Sequence, residues 1–253
     1  MSNIDGAGRI AWITGAGSGI GRALALRLAR DGWRVMISAR SGDDLAEVAG
    51  QAPGIYSYRL DVMERPAVEE TVRRIEAEHG PIALAVLAAG TYKPVSGKEF
   101  SADAFGANVA VNLNGTANCL EVLIPVLSAR RAGHIAVVSS LTGYVGLPTA
   151  SGYGATKAAL INMCEALEPE LEPVGVKISV INPGFVKTPL TDKNEFPMPF
   201  LITAEDAADR IAKGLAAGKF EIAFPLRMTI AIKLLAALPH GLRLMLTRRM
   251  LPR

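Results

Sequence analysis

The chain has 253 residues, of which 50% are hydrophobic and 20% are charged, and its formal net charge at pH 7 is +3. This length and apolar content favour one large α/β domain over two small ones, and no uncharged apolar run reaches the roughly 18 residues that a membrane span needs. The charge is uneven: residues 226–253 hold six basic residues and no acidic one, whereas residues 1–225 hold 21 basic and 24 acidic residues. Because a nucleic-acid-binding protein usually spreads basic surface over its fold, we do not expect nucleic acid as a partner.

The few cysteines and histidines indicate no metal or disulfide chemistry. Cys119 and Cys164 lack a paired spacing, so we expect buried, reduced thiols in a reducing compartment. His79, His134 and His240 are scattered, and we predict no metal site. The N-terminus lacks the charged and then apolar pattern of a signal peptide, so a cytoplasmic location is expected.

The first predicted element is a short apolar strand at residues 9–14, which leads into a glycine-rich turn and then a helix with apolar spacing. Glycines permit a tight turn and a close approach of the backbone to a pyrophosphate, and the helix N-terminus offers free N–H groups. A plain turn without a ligand is the alternative. The order of strand, turn and helix nevertheless predicts a phosphate site made by Gly15, Ser18, Gly19, Ile20 and Gly21.

The second predicted strand, at residues 33–39, carries the signal for the cofactor. An NAD-binding unit usually has a carboxylate at the end of this strand to bond the ribose 2′-hydroxyl. Here the strand ends in Ala39 and Arg40. A guanidinium at this place can meet a 2′-phosphate, so the sequence predicts a preference for NADP(H), unless Arg40 is only a solvated loop residue.

The rest of the chain continues the alternation of strands and helices. Strands are predicted at residues 55–60, 82–88, 134–139, 176–181 and 220–224, and helices at residues 66–79, about 102–129 and 153–172 and after the capping residues Ser41 and Thr203. The strands are rich in Val and Ile without strict polar alternation, which is typical of a parallel sheet. We therefore predict a single Rossmann-like, doubly wound domain over residues 1–253, with a mostly parallel seven-stranded sheet and helices on both faces.

Tyr153 and Lys157 are four residues apart, a spacing that places both side chains on one face of a helix. A free tyrosine has a pKa of about 10, and a nearby ammonium favours the phenolate. Lys157 would thus lower the pKa of Tyr153 and make it a usable proton donor and acceptor. Taken alone, however, most Tyr/Lys pairs at this spacing are solvated helix faces.

The ordered set of motifs resembles the short-chain dehydrogenase/reductase family over roughly residues 8–225. The matching residues are Thr14-Gly15-x-x-x-Gly19-Ile20-Gly21, Asp61, Asn112, Ser140, Tyr153-x-x-x-Lys157 and Pro183-Gly184-x-x-x-Thr188. One departure occurs after the fourth strand, where the family often has Asn-Asn-Ala-Gly and this chain has Leu87-Ala88-Ala89-Gly90. An asparagine side chain that often ties neighbouring strands together is therefore missing. We expect this to lower local stability more than activity.

The resemblance implies roles for four catalytic residues. Tyr153 would be the general acid in ketone reduction and the base in alcohol oxidation, and Lys157 would hold the nicotinamide ribose. Ser140 would stabilise the charge that develops on the substrate oxygen, with Ser139 as the competing candidate. Asn112 would hold a water molecule of the proton relay, or would simply bond locally within its helix.

The resemblance also implies the remaining cofactor contacts. Asp61 would touch the adenine, unless it is a plain helix-start carboxylate, and Thr188 would bond the nicotinamide carboxamide, unless it is an ordinary turn residue. The other implied contacts with the cofactor come from Val62, Gly90, Pro183, Gly184 and Val186.

Two variable segments bear on substrate and partners. The segment at residues 189–202 matches the family's substrate loop, and its apolar side chains would form a lid; these are Phe196, Met198, Phe200 and Leu201. We therefore expect an uncharged, fairly apolar carbonyl or secondary alcohol substrate. The basic, apolar tail at residues 226–253 predicts two short amphipathic helices, which would either contact an anionic membrane surface or pack on the body or another subunit, the option that we favour.

The resemblance further suggests a homodimer or homotetramer. The predicted function is an NADP(H)-dependent oxidoreductase that moves a hydride between nicotinamide and a carbonyl/alcohol pair. The alternative is a non-catalytic nucleotide-binding regulator or scaffold on the same fold, although a pure binder has no need of Tyr153.

Overall fold

Seven parallel strands form the centre of the fold in the computed structural model, which describes residues 8–192 and 197–251. The strands are β1 Ile10–Thr14, β2 Arg34–Ala39, β3 Ile55–Arg59, β4 Ile82–Leu87, β5 Gly133–Val138, β6 Val176–Pro183 and β7 Glu221–Phe224. The helices are α1 Gly19–Arg30, α2 Gly42–Ala49, α3 Arg65–His79, α4 Ala102–Asn108, α5 Gly115–Ala129, α6 Ser151–Leu171, α7 Ala204–Ala216, α8 Leu226–Ala237 and α9 His240–Arg248. The predicted fold class is confirmed.

Each face of the sheet carries its own layer of helices and its own apolar core. Along β1, Ile10 and Trp12 face a core completed by α3, α5 and α6, whereas Ala11 and Ile13 face a core completed by α1, α2 and α7. These four side chains are buried, which is why the strand appears in the sequence as a continuous apolar run instead of an alternating one. The two cysteines are free and buried, as predicted.

The order of the strands decides where a ligand can bind. The sheet runs β3-β2-β1-β4-β5-β6-β7, so the chain moves outward on one side from β1 and then returns to build the other side from β4. In open parallel sheets the crevice at such a reversal, beyond the carboxyl ends of the strands, is the usual ligand site. Here the reversal lies between β1 and β4.

The helix predicted at residues 102–129 is interrupted by a π-helical segment, Val109–Asn114, between α4 and α5. By length and composition this 28-residue run could cross a membrane, since an 18-residue window in it has a mean hydropathy of 1.2. Core helices of globular proteins meet the same criterion, and Leu123 and Leu127 of α5 are buried in the apolar core. The run is therefore weak evidence for a membrane span.

A buried histidine at the opposite end of the sheet predicts how stability depends on pH. Ser179 Oγ donates to the Lys219 carbonyl (2.6 Å), so it accepts from His134 Nε2 at 2.7 Å. Burial lowers the pKa of His134 to about 4, and Lys177 acts in the same direction. The unfolded chain, with a histidine pKa near 6.5, binds the extra proton first as the pH falls. The free energy of unfolding should therefore drop by about 2–3 kcal/mol from this group between pH 7.5 and pH 4.5.

Urea unfolding at the two pH values measures this effect. In a His134→Gln variant, which can still donate to Ser179, this part of the pH dependence should disappear. His240→Gln, which changes an exposed histidine, is the matched control and should behave like the parent protein. Equal losses of stability in the parent and in His134→Gln would show that His134 is not the group responsible.

Candidate active site

A cleft of about 520 Å³ opens at the carboxyl ends of the strands, across the reversal point of the sheet. The structure brings nearly all of the predicted site residues to its wall. Those lining the cleft are Gly15, Ser18, Gly19, Ile20, Gly21, Arg40, Asp61, Val62, Gly90, Ser140, Tyr153, Lys157, Pro183, Gly184, Val186 and Thr188. Asn112 is the one predicted site residue that does not line it.

The glycine-rich turn between β1 and α1 forms the floor of the cleft. Gly15 has a φ of 67°, and a Cβ on this residue would lie 2.7 Å from the Ala88 carbonyl oxygen. A Cβ on Gly21 would lie 2.5 Å from the Gly15 carbonyl oxygen, so only glycine fits at either position. Ser18, the N-cap of α1, makes no side-chain capping bond, which leaves the first N–H groups of the helix available to an anion. This floor fits the pyrophosphate of a dinucleotide.

One end of the cleft is charged because it collects the residues that follow β2 and β3. Arg40 is exposed at the rim, and the Asp61 carboxylate accepts the Met63 N–H at 3.0 Å. Asp44, in the first turn of α2, also lines this end. Sequence reasoning missed it, since the capping pattern that begins at Ser41 does not show which way this carboxylate faces.

The other end of the cleft holds Ser140, Tyr153 and Lys157, which come from the end of β5 and the first two turns of α6. The Ser140 hydroxyl lies beside the Tyr153 phenol, donates to the Pro183 carbonyl oxygen at 3.4 Å and accepts the Thr142 N–H at 3.2 Å. Lys157 is 4% exposed, and its Nζ donates to the Val138 carbonyl at 2.8 Å and lies 5.4 Å from the centre of the Tyr153 ring. The three groups can thus act on a single substrate oxygen placed beside them.

The direction of the pKa shift predicted for Tyr153 is wrong. Burial raises the pKa of its phenol to about 12, and the hydrogen bond with Ser140 only partly opposes this. Burial also lowers the pKa of the Lys157 ammonium to about 8. The spacing of the pair could not reveal this, because removing a phenolate from water outweighs the effect of a cation that is turned toward a backbone carbonyl.

The two serines at the end of β5 differ in what their hydroxyls do. Ser139 Oγ donates to the Lys157 carbonyl at 2.8 Å, so it holds α6 against β5. Both serines line the cleft, but the Ser140 hydroxyl is the one that acts on the Tyr153 phenol. This geometry favours Ser140, as the spacing did.

Asn112 lies on the π-helical segment behind the cleft wall. It is fully buried, and its Oδ1 accepts the Thr91 N–H at 2.7 Å. Its Nδ2 donates to the Thr91 carbonyl at 3.0 Å and to Thr156 Oγ1 at 3.1 Å. The amide thus ties the loop after β4 to α6, next to Lys157, and the relay role stays a prediction.

Because this chain lacks the family's asparagine after β4, we expected a tie between neighbouring strands to be lost there. Thr14 at the end of β1 supplies such a tie instead. Its Oγ1 accepts the N–H groups of Ala88 and Ala89 at 3.1 Å and 3.2 Å. The end of β1 therefore holds the loop after β4 in place through one buried hydroxyl.

The segment predicted as an apolar lid is only partly visible in the wall of the cleft. Pro189, Leu190 and Thr191 line it. Met198, Phe200 and Leu201 do not, and the last two are 50% and 42% exposed. Phe196 lies outside the described residues.

Tyr92 is a neighbour of Tyr153 that sequence reasoning did not find. Its ring packs edge-on against that of Tyr153, with 5.3 Å between the centroids. No motif marks it, because the contact depends on how the loop after β4 folds back over α6.

Fold and site together define a dinucleotide-binding α/β protein with a Ser/Tyr/Lys site at the end of its cleft. The family model described as short chain dehydrogenase matches residues 9–197. The chain is 36% identical over 238 residues to an uncharacterized oxidoreductase from Myxococcus xanthus, covering 92% of this chain and 94% of the relative. It is 33% identical over 190 residues to 3-oxoacyl-[acyl-carrier-protein] reductase FabG from Thermotoga maritima, covering 74% and 77%.

A solved short-chain dehydrogenase from Burkholderia cenocepacia in complex with NADP superposes with a TM-score of 0.83 at 27% identity, covering 99% of this chain and 100% of that one. The chain therefore belongs to the short-chain dehydrogenase family and is an oxidoreductase.

Proposed function

We propose that this protein is a single-domain, NADP(H)-dependent oxidoreductase that interconverts an uncharged, apolar carbonyl compound and its secondary alcohol. The observation that carries the proposal is the placement of Ser140, Tyr153 and Lys157 around one point of the cleft, beside a glycine floor that fits a pyrophosphate. The bound cofactor would supply the hydride chemistry. The protein's own residues would bind, orient and transfer a proton.

Tyr153 acts as the general acid when a carbonyl is reduced. With a pKa of about 12, its phenol is protonated at neutral pH and can donate to the substrate oxygen. The Ser140 hydroxyl donates a hydrogen bond to the same oxygen as negative charge develops there. Lys157 places a cation beside the phenol and holds the ribose hydroxyls, while Asn112 keeps α6 and the loop after β4 in register and serves the proton relay.

The cofactor assignment draws on Arg40 and on the NADP-bound relative from Burkholderia cenocepacia. Arg40 stands at the rim of the cleft beyond β2 without an ion-pair partner among residues 8–192 and 197–251. Asp61, Val62, Gly90 and Thr188 complete the contacts along the cleft. The Asp44 carboxylate at the same end of the cleft would repel a 2′-phosphate. The preference for NADP(H) over NAD(H) therefore depends on the attraction between Arg40 and that phosphate.

Arg40→Ala should raise the KM for NADPH about 10- to 100-fold, since a hydrogen bond to a charged group contributes about 1.5–3 kcal/mol. The KM for NADH should change less than about twofold, because NADH lacks the 2′-phosphate. Arg210→Ala, which removes an exposed charge on α7 away from the cleft, is the matched control. If Arg40→Ala weakens both cofactors equally, Arg40 does not read the 2′-phosphate.

The uncharged character of the substrate follows from the cleft lining. Among residues 8–192 and 197–251, the charged side chains that line the cleft are Lys157 and, at the far end, Arg40, Asp44 and Asp61. The uncharged part of the described lining includes Gly184, Val186, Pro189 and Leu190, together with hydroxyl groups. Within the described part of the chain, this lining offers a substrate carboxylate or phosphate no cation besides Lys157, so an uncharged substrate fits it better.

A panel of carbonyl compounds followed by NADPH absorbance tests the function. We expect apolar ketones and aldehydes to be reduced with higher kcat/KM than small sugars or keto acids. NADPH binding without turnover of any compound would instead indicate a non-catalytic regulator or scaffold. We further propose a cytoplasmic homodimer or homotetramer, which sedimentation equilibrium would measure.

A further inference from the structure

The tail formed by residues 226–251 holds more than half of the exposed large hydrophobic side chains of the described residues. Fourteen large hydrophobic side chains are exposed in the described residues, and eight of them lie in this tail. These eight are Leu226, Ile230, Leu234, Leu242, Leu244, Met245, Met250 and Leu251. A concentration of exposed apolar side chains usually marks an interaction surface.

The inner face of the tail is already occupied by the body of the protein. Met228, Ile232 and Leu235 of α8 pack against Leu141 and Val145, beside the substrate end of the cleft. The two helices predicted for the tail are confirmed, and so is packing of one face on the body. That packing fixes which side of α8 faces outward.

Two further contacts hold this orientation. Lys233 donates to the Glu221 carboxylate on β7, and the Tyr144 hydroxyl donates to the same carboxylate. With α8 fixed in this way, its exposed apolar residues recur every four positions, at 226, 230 and 234, and form one outward stripe.

The charge of the outer face has a single sign. Arg227, Arg248 and Arg249 are exposed and, unlike Lys233, have no acidic partner among the described residues. The tail contains no acidic residue at all. A second copy docking its tail symmetrically on this one would place arginines against arginines, which is unfavourable.

We propose that the tail is a peripheral docking surface for an anionic lipid bilayer. Leucine and methionine side chains would enter the boundary between headgroups and acyl chains, and the arginines would remain at the level of the lipid phosphates. Each basic residue near an anionic surface strengthens binding about fivefold, and salt screens the effect. Since α8 packs beside the cleft, the docked surface would adjoin the substrate end of the site. The proposal does not depend on the reaction that the site performs.

Co-sedimentation of the full-length protein with phospholipid vesicles tests the proposal. The protein should bind phosphatidylcholine vesicles that contain phosphatidylglycerol, bind pure phosphatidylcholine vesicles far more weakly, and dissociate at high salt. Arg248→Gln/Arg249→Gln should weaken binding to the anionic vesicles about 25-fold, because two charges are lost. Arg210→Gln/Lys213→Gln removes two exposed charges from α7 and should leave binding unchanged.

The apolar contribution has its own matched pair of variants. Leu226→Ser/Leu234→Ser changes side chains that are 67% and 65% exposed and should weaken vesicle binding at least about tenfold. Phe100→Ser changes a side chain that is 62% exposed on the body and should have no effect. The proposal is overturned if the parent protein does not bind anionic vesicles, or if both tail variants bind as the parent does. A smaller sedimentation coefficient of the tail variants, without vesicle binding by the parent, would assign the surface to a second copy.

Discussion

Replacing Tyr153 with phenylalanine should lower kcat for carbonyl reduction by about 10²- to 10⁴-fold, the range that a positioned general acid contributes. The substitution removes one hydroxyl and leaves the ring that packs against Tyr92. The glycine floor and Arg40 are not touched, so the dissociation constant for NADPH should stay within about threefold. Steady-state kinetics and fluorescence titration of NADPH measure the two quantities on one preparation.

Tyr92→Phe is the matched control, because it removes the same atom from the adjacent ring. Its kcat should fall less than about fivefold, since Tyr92 contacts the Tyr153 ring but does not line the cleft. Both variants should unfold at the temperature of the parent protein within a few degrees. If Tyr153→Phe keeps more than a tenth of the parent kcat, proton donation by Tyr153 is not the basis of the reaction.

The elements of the fold could be predicted because each is fixed by short-range patterns. The strands are buried on both faces, so they appear as apolar runs, and the helix starts at Ser41 and Thr203 were visible from their capping residues. Both serve as N-caps in the structure, where their hydroxyls accept the N–H groups of Asp44 and Asp206. The glycine-rich turn was also predictable from a short-range pattern. Glycine is required where backbone atoms approach closely, so the spacing of the glycines marks those positions.

Features that depend on contacts between distant segments could not be predicted. The π-helical segment at Val109–Asn114 and the bonds that Asn112 makes to Thr91 and Thr156 join three parts of the chain. The exposure of Phe200 and Leu201, which were predicted to cover the site, depends on the path of a loop. Burial, which sets the pKa of Tyr153, is likewise a property of the assembled site.

Lys157→Met should lower kcat/KM for carbonyl reduction by about 10²- to 10³-fold, the loss typical when one electrostatic contribution to the transition state is removed, here the cation beside the Tyr153 phenol. The parent protein should also lose kcat/KM as the pH rises through about 8, since burial lowers the pKa of Lys157 to about that value and its cation disappears above it. In Lys157→Met this decline should be absent. The profile of kcat/KM against pH for both proteins measures the effect, because it reports groups of the free enzyme.

The same substitution should stabilise the fold, which separates a catalytic role of Lys157 from a structural one. The pKa of Lys157 is lower in the folded chain than the unfolded value of about 10.4, so the folded chain binds fewer protons between pH 8 and 10.4. Its stability rises with pH across that window, and below pH 8 the full cost of burying the ammonium is present. Methionine removes that cost but loses the bond to the Val138 carbonyl, so we expect a gain of about 1–2 kcal/mol at pH 7. A loss of stability together with the loss of activity would mean that Lys157 holds β5 and α6 together and that its charge is incidental.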